Sequence, residues 1–266
     1  MPPELFDLTE KVAVVTGGAR GLGKAAAQGL VAHGAQVALL DILQDEMAQT
    51  KAEILRSATR CEMYRCDVSN EEQVRATAEQ VLSDFSRVDI LVNIAGITNR
   101  VATTDITSAA VRRLTEVNYF GTFWCCREFG KHMLQQGQGN IINMSALGGG
   151  LVGTGRGNAA YSSTKGAIAA LTKELAAEWG SQGIRVNALA PCWFQTDMNS
   201  NSIFATPTFL DQVHSKLPMR RIGQPADIAG PVVFLASEAS RMITGLILPV
   251  DGGAAATCPI TLPESD

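Results

Sequence analysis

The 266 residues contain no run of about 18 consecutive apolar residues, so no segment reads as a helix that spans a bilayer. A basic excess is also missing. Lys and Arg total 22 against 26 Asp and Glu, for a net charge of −4, which argues against a nucleic-acid or anionic-membrane partner. Histidine is scarce: His33, His132 and His214 lie far apart, and no metal site is expected. The six cysteines (Cys61, Cys66, Cys125, Cys126, Cys192 and Cys258) form no C-x-x-C pair and no spaced framework, so they read as reduced thiols of a cytoplasmic protein. The first ten residues hold Glu4, Asp7 and Glu10 and lack the basic-then-apolar start of an export signal. The final Pro-Glu-Ser-Asp is not a retention or peroxisomal address. No linker, repeat or low-complexity stretch divides residues 1–266, which are expected to form one domain.

Within those limits the chain is ordinary globular material, 46% hydrophobic and 18% charged. Apolar, β-branched runs recur at Lys11–Gly17, Gln36–Asp41, Cys61–Cys66, Val88–Asn93, Gly139–Ser145, Ile184–Ala190 and Ile243–Asp251. Between them lie helical patterns over Lys24–His33, Gln44–Ser57, about Ser69–Phe85 and Ala109–Gln136, a helix from Tyr161 to Trp179, and Pro225–Ala236. Ser69 with Glu72 three residues on reads as a capping box. Alternating strands and helices predict an α/β fold: a doubly wound, seven-stranded parallel sheet with helices on both faces. Ligands in such sheets bind beyond the carboxyl ends of the strands. Gly17, Asp41, Asp67, Asn93, Ser145 and Pro191 all fall at or just after those ends, along one rim.

Thr16-Gly17-x3-Gly21-Leu22-Gly23 joins the first strand to the first helix. Glycines there let backbone approach a pyrophosphate, whose charge suits a helix N-terminus. Asp41 lies 41 − 23 = 18 residues past the last glycine, where a ribose-binding acid belongs. Its charge opposes a 2′-phosphate, so NAD(H) is favoured; NADP(H) stays open because Arg20 and Lys24 are near enough in sequence to reach a phosphate. Arg20 reads equally as a solvated turn residue. Asp67 is either a partner for the adenine amino group or a cap of its own loop.

Tyr161 and Lys165 are four residues apart and share one helix face. A phenol titrates near ~10, and a neighbouring cation lowers that value toward one suited to proton transfer. The spacing alone also describes an ordinary helix. The ordered set decides between them: Thr16-Gly17-x3-Gly21-x-Gly23, Asp41, Asp67-Val68, Asn93-Ile94-Ala95-Gly96, Asn118, Ser145, Tyr161-x3-Lys165, Pro191 and Gly252-Gly253. This resembles the classical short-chain dehydrogenase/reductase family from about Leu5 to Gly253. The segments Asp67–Gly96 and Asp197–Gly253 look most like members acting on sugars, sugar acids or polyols, including gluconate 5-dehydrogenase-like proteins.

The resemblance implies an oxidoreductase interconverting a ketone and a secondary alcohol. Tyr161 is then the acid/base and Ser145 the donor to the substrate oxygen. Lys165 lowers the tyrosine pKa and holds the nicotinamide ribose, and Asn118 supports a water chain to Lys165. The cofactor contacts it implies are Gly17, Arg20, Gly21, Leu22, Gly23, Asp41, Asp67, Val68, Asn93, Ala95, Gly96, Tyr161, Lys165 and Thr196. Three departures from the family pattern stand out: Ile94 for a second asparagine, Cys192 for the glycine after Pro191, and a long, glycine-rich Ser145-to-Tyr161 interval through Gly148–Gly157. Cys192 to Pro218 is expected to be an irregular substrate lid carrying Trp193, Phe194, Phe204 and Phe209. Arg100, Arg156 and His214 are candidates for meeting an acidic substrate, with solvent-facing roles equally open. Small residues on the Tyr161 helix (Ala159, Ala160, Gly166, Ala167, Ala169 and Ala170) suit either tight internal packing or the homotetramer or homodimer usual in the family. Two other readings remain: a dinucleotide-binding protein without redox turnover, and a biosynthetic enzyme, such as a ketoreductase on an apolar metabolite, built on the same scaffold.

Overall fold

The computed structural model describes residues 3–55, 60–153, 157–196 and 207–256. Arg156 and Phe204 lie outside them, as do the side chains of Phe209 and His214. The chain runs β1 (Val12–Thr16), α1 (Gly21–Ala32), β2 (Gln36–Asp41), α2 (Gln44–Ile54), β3 (Cys61–Arg65), α3 (Glu71–Phe85) and β4 (Ile90–Asn93). It continues through α4 (Ser108–Leu114), α5 (Gly121–Gln136), β5 (Gly139–Met144), α6 (Ala159–Trp179), β6 (Ile184–Pro191), α7 (Pro207–Lys216), α8 (Ala229–Ala236) and β7 (Ile247–Val250). All seven strands are parallel, in the order β3-β2-β1-β4-β5-β6-β7. The winding direction reverses between β1 and β4, so a crevice opens there at the strands' carboxyl ends.

The strands read as continuous apolar runs because both faces are covered. One layer packs α1, α2 and α8 on the sheet through Leu30, Leu39, Met47 and Val232; the other packs α3, α5 and α6 through Val74, Phe129, Ile141 and Leu171. Cys61, Cys66, Cys125 and Cys126 are buried free thiols. Among the described residues no helix is long and apolar enough to cross a membrane.

Four local expectations change. Asn70, not Ser69, caps α3: its side chain accepts from the Gln73 amide at 3.0 Å, while Ser69 Oγ donates to Asp67 at 2.6 Å. Glu72 pairs instead with Arg75. The single helix expected over Ala109–Gln136 starts at Ser108, capped by Thr107, and is interrupted by a π-helical turn at Thr115–Phe120. Such turns insert one extra residue and re-aim side chains. Third, the supposedly irregular lid contains α7, whose Val213 and Leu217 are buried against Trp193 and Ile222. The last strand is shorter than expected, at Ile247–Val250.

The small residues of α6 are not consumed by internal packing. Ala159 and Ala170 are exposed, and Ala160, Gly166, Ala167 and Ala169 are half-buried.

Candidate active site and cofactor cradle

The turn after β1 is built so that only glycine fits at two of its positions. Gly17 has φ +68, and a Cβ there would lie 2.8 Å from the Ala95 nitrogen. A Cβ on Gly23 would lie 1.9 Å from the Gly17 carbonyl oxygen. The chain therefore folds onto itself with no room for a side chain, and the floor of the turn is bare backbone. Thr16 joins this turn to its neighbour across the crevice: its hydroxyl accepts from the amides of Ile94 at 3.1 Å and Ala95 at 3.2 Å. Thr50 of α2 donates to the Ala19 carbonyl at 2.7 Å and pins the turn from below.

A cavity of about 590 Å³ runs from this turn to α6. Gly17, Arg20, Gly21, Leu22, Gly23, Asp41, Asp67, Val68, Ala95, Gly96, Ser145, Tyr161, Lys165 and Thr196 all line it. Two of the expected residues do not. Asn93 is turned into the sheet, where its amide donates to Asn143 Oδ1 at 2.9 Å and to the Cys126 sulfur at 3.3 Å. Asn118 is fully buried behind the wall. Its Oδ1 accepts from the Ile97 amide at 2.8 Å, and its Nδ2 donates to the Ile97 carbonyl at 3.0 Å and to Thr164 Oγ1 at 3.1 Å. In these contacts Asn118 clamps the segment after β4 to α6.

Asp41 is held in place by backbone: Oδ2 accepts from Ala19 at 3.1 Å, and Oδ1 from Ile42 at 2.7 Å and Leu43 at 3.2 Å. Lys24, one of the two cations considered for a phosphate, is instead paired with Glu53 of α2 at 2.8 Å. Asp67 Oδ1 takes the Ser69 amide and hydroxyl at 3.0 and 2.6 Å, so it does cap its own loop, and Oδ2 stands 3.7 Å from Arg113. Burial works against that carboxylate, but the Ser69 bonds and Arg113 outweigh it and hold the group below its usual range. Arg113 itself lines the cavity from α4, a contact that sequence reasoning did not single out.

At the other end, Ser145 and Tyr161 face the cavity. Ser145 is buried, and its hydroxyl donates to the Lys165 carbonyl at 2.9 Å. Gly149 fits under it so tightly that a Cβ would lie 2.6 Å from Ser145 Oγ. Lys165 is 4% exposed and donates to the Met144 carbonyl at 2.7 Å, so β5 supplies its anchor. Its ammonium lies over the Tyr161 ring, 5.8 Å from the centroid.

The electrostatics differ from the expectation that Lys165 lowers the tyrosine. Burial pushes Tyr161 up to about 12, and the cation acting against that rise is Arg100. Tyr161 keeps some accessible surface toward the cavity, yet enough water is displaced around it to disfavour phenolate. Burial also brings Lys165 down to about 8. The dehydration of the ammonium itself weakens it as a partner for the phenol.

The departures from the family pattern are local. Ile94 packs against the sheet's core while its amide still reaches Thr16. Cys192 lines the cavity, and burial pushes its thiol up to about 12, so it stays a neutral thiol. In the long Ser145-to-Tyr161 interval, residues 154–156 lie outside the described residues. At its end Gly157, with φ +73, accepts from the Val101 amide at 3.2 Å.

A glycine-floored strand-to-helix turn, a carboxylate at the end of β2 and a Ser-Tyr-Lys cluster at the far end define a dinucleotide-dependent oxidoreductase site on a doubly wound sheet. Comparisons agree. A family model described as enoyl-(acyl carrier protein) reductase matches residues 17–255. The chain is 35% identical to galactitol 2-dehydrogenase (L-tagatose-forming) of Cereibacter sphaeroides over 249 residues, 94% of this chain and 96% of that protein. It is 34% identical to gluconate 5-dehydrogenase of Gluconobacter oxydans over 255 residues, 94% and 97% of the two chains. Among solved structures it superposes on a gluconate 5-dehydrogenase from Burkholderia cenocepacia in complex with NADP and tartrate, with a TM-score of 0.92 and 32% identity, covering 97% of this chain and 100% of that one. The chain belongs to the short-chain dehydrogenase/reductase family and is an oxidoreductase of that kind, working with a nicotinamide dinucleotide.

Proposed function

We propose that the protein interconverts a ketone and a secondary alcohol on a small polyhydroxylated substrate, a sugar, sugar acid or polyol, with Tyr161 as the acid/base. The observation that carries this reading is the convergence of Ser145, Tyr161 and Lys165 on one end of a cavity whose other end is the Gly17–Gly23 turn and Asp41. The dinucleotide fits that shape: the bare backbone of the turn suits a pyrophosphate, and the fixed Asp41 carboxylate suits ribose hydroxyls. When bound it supplies or accepts the hydride.

The chain's own residues handle the oxygen and the proton. Ser145 Oγ, already held by the Lys165 carbonyl, turns its hydroxyl to the substrate oxygen, where negative charge grows as the hydride moves. Tyr161 gives its proton to that oxygen in reduction and takes it back in oxidation. Burial raises the phenol above its ordinary value, so it enters the reductive direction as the protonated acid. Lys165, anchored on Met144, has three donor hydrogens and can keep that bond while meeting a ribose hydroxyl. Asn118 holds the Ile97 segment against α6 and so keeps that wall in place. The described parts of the expected lid, residues 192–196 with Trp193 and 207–218 with α7, cover the substrate; residues 197–206 lie outside the described residues. The small-residue face of α6 suits a homodimer or homotetramer in the cytoplasm.

NAD(H) is the cofactor we favour, since Asp41 stands fixed at the ribose end and Lys24 is spent on Glu53. The solved gluconate 5-dehydrogenase relative carries NADP, so the two cofactors are compared directly. Initial rates with NADH and NADPH on a panel of sugar and sugar-acid ketones test the reading. Faster turnover with NADH, lost in Tyr161→Phe, is expected. Turnover preserved in Tyr161→Phe refutes the mechanism, and a preference for NADPH refutes the role given to Asp41.

A further inference from the structure

The strand order β3-β2-β1-β4-β5 sets out the cavity lining in sequence along the rim. Asp67 and Val68 follow β3, Asp41 ends β2, the glycine turn follows β1, Ala95 and Gly96 follow β4, and Ser145 follows β5. A dinucleotide with its pyrophosphate on the turn and a ribose at Asp41 therefore has its reacting ring toward Ser145 and Tyr161. Its purine then falls at the β3 end. That end is lined by Cys66, Val68 and Val117, with Asp67 and Arg113 as the charged groups described there.

Arg113 reaches this end from α4, which follows β4 and not β3. It stands four residues ahead of Val117, so the two share one side across the start of the π-helical turn, and both line the cavity. Oxygens of the β3 loop hold its guanidinium: Nη1 donates to Ser69 Oγ at 2.7 Å, and Nη2 stands 3.7 Å from Asp67 Oδ2. Glu116 lies 3.9 Å from Nη1. The loop is held in turn by α5, where a Cβ on Gly121 would lie 2.7 Å from Val68 Cγ2. Both terminal nitrogens thus have partners within the chain, and what the guanidinium leaves to a ligand is its flat face.

We propose that Arg113 is a binding residue for the base of the dinucleotide and lays its guanidinium plane on the purine. A planar, delocalised cation is weakly hydrated and stacks on aromatic faces, nucleobases among them. The attraction grows where water is partly displaced, and the apolar side chains of Val68 and Val117 line that end. Such a contact reads the ring and is blind to its exocyclic amino group. The labour along the rim is then divided: Asp41 takes the sugar and Arg113 the base. This inference rests on the placement of the ribose at Asp41 given above.

The test measures binding where no hydride can move. The protein is titrated calorimetrically with three reduced ligands: NADH, its hypoxanthine analogue (the same purine ring without the amino group) and nicotinamide mononucleotide, which has no base at that end. Arg113→Gln is expected to weaken NADH and the hypoxanthine analogue equally, by at least ~5-fold, the scale of one partly shielded stacked cation. The mononucleotide is expected to bind both proteins alike. Arg113→Lys keeps a charge beside Asp67 but loses the plane, and recovers only part of the loss. Four results overturn the proposal: NADH affinity unchanged in Arg113→Gln, full affinity in Arg113→Lys, an equal loss for the mononucleotide, or no binding of NADH to the wild type. A loss confined to NADH also overturns it, and assigns the effect to the amino group and Asp67. Turnover of a panel of sugar ketones is measured on the same proteins. The base-dependent loss without turnover of any ketone refutes the ketone–alcohol reading and leaves the Arg113 contact standing. Turnover with NADH affinity unchanged in Arg113→Gln does the reverse.

Discussion

Lys165→Met is expected to abolish turnover and yet to stabilise the cofactor-free protein at neutral pH. Lys165 is 4% exposed, and burial brings its ammonium from an ordinary 10.5 to about 8. In the unfolded chain the group regains its ordinary value. At pH 7 both states are protonated, so the native state bears the full dehydration penalty, about 3 kcal/mol for a shift of that size. Methionine fills nearly the same volume without a charge. Against the gain stands the hydrogen bond from Nζ to the Met144 carbonyl at 2.7 Å, whose loss costs about 1–2 kcal/mol. The net gain is about 1–2 kcal/mol, or a rise in Tm of roughly 2–8 °C for a chain of this size.

The sign follows from proton linkage. A lysine whose folded pKa is depressed binds fewer protons in the native state between about 8 and 10.5, so wild-type stability recovers across that window as pH rises. The advantage of Lys165→Met is therefore greatest below pH 8, shrinks above it, and inverts between about pH 9 and 10; above about 10.5 only the lost hydrogen bond remains. Differential scanning calorimetry of both proteins without cofactor, from pH 6.5 to 10.5, reads this directly. A variant less stable than wild type at pH 7, or a difference that does not change with pH, refutes the argument that Lys165 is held in the native state at a dehydration cost.

Two further substitutions probe other parts of the frame. Asn118→Leu leaves the Ile97 amide and carbonyl without their side-chain partners, while Thr164 keeps its bond to the Tyr161 carbonyl; a loss of about 2–4 kcal/mol is expected, read as a lower urea midpoint with unchanged slope. A midpoint equal to wild type refutes the clamp. Arg185→Met removes a guanidinium that bonds the Leu235 carbonyl at 2.9 Å, the Ser237 carbonyl at 3.2 Å and Ser240 Oγ at 2.8 Å, and so detaches β6 from the turn after α8. It should lower stability by about 2–4 kcal/mol with cofactor affinity unchanged, and a parallel loss of cofactor affinity refutes a purely structural role.

The sheet was legible because buried parallel strands have to be continuous apolar runs, and six of the seven begin and end within about two residues of where the pattern places them. The rim was legible for the same reason: once strand ends are known, Gly17, Asp41, Asp67 and Ser145 are neighbours by topology. Orientation was not. Asn93 ends β4 as expected, but it is paired in register with Asn143 of β5, and the two amides bond each other inside the sheet. That contact depends on which strand lies alongside, which spacing along one chain does not reveal. The π turn at Thr115–Phe120 has no proline or glycine inside it to announce a break, so a continuous helix was the natural reading. Helix α7 left a weak trace: Leu210, Val213 and Leu217 recur at helical intervals within a polar stretch. The Tyr161–Lys165 spacing correctly puts both groups on one face, but spacing carries no information about water. Burial raises Tyr161, against the Arg100 charge, and lowers Lys165.

Strand order then explains why binding and chemistry share so few supports. The crevice exists because the winding reverses between β1 and β4, and those two strands are joined at its floor by Thr16, which accepts the Ile94 and Ala95 amides. On the β1 side lie the glycine turn and Asp41, braced by α2 through Thr50. Across it lie β4, β5 and α6, braced by Asn118 and by the Lys165–Met144 bond. Each half is braced within itself, and the ligand cavity spans the seam. A change on the β2 side should therefore alter which dinucleotide is held while leaving the reacting oxygen's surroundings intact, and a change on α6 should do the opposite. Thr16 belongs to both halves: its hydroxyl joins the glycine turn to the segment after β4. Substitutions on the two sides are thus expected to separate cofactor preference from turnover everywhere along the rim except at that joint.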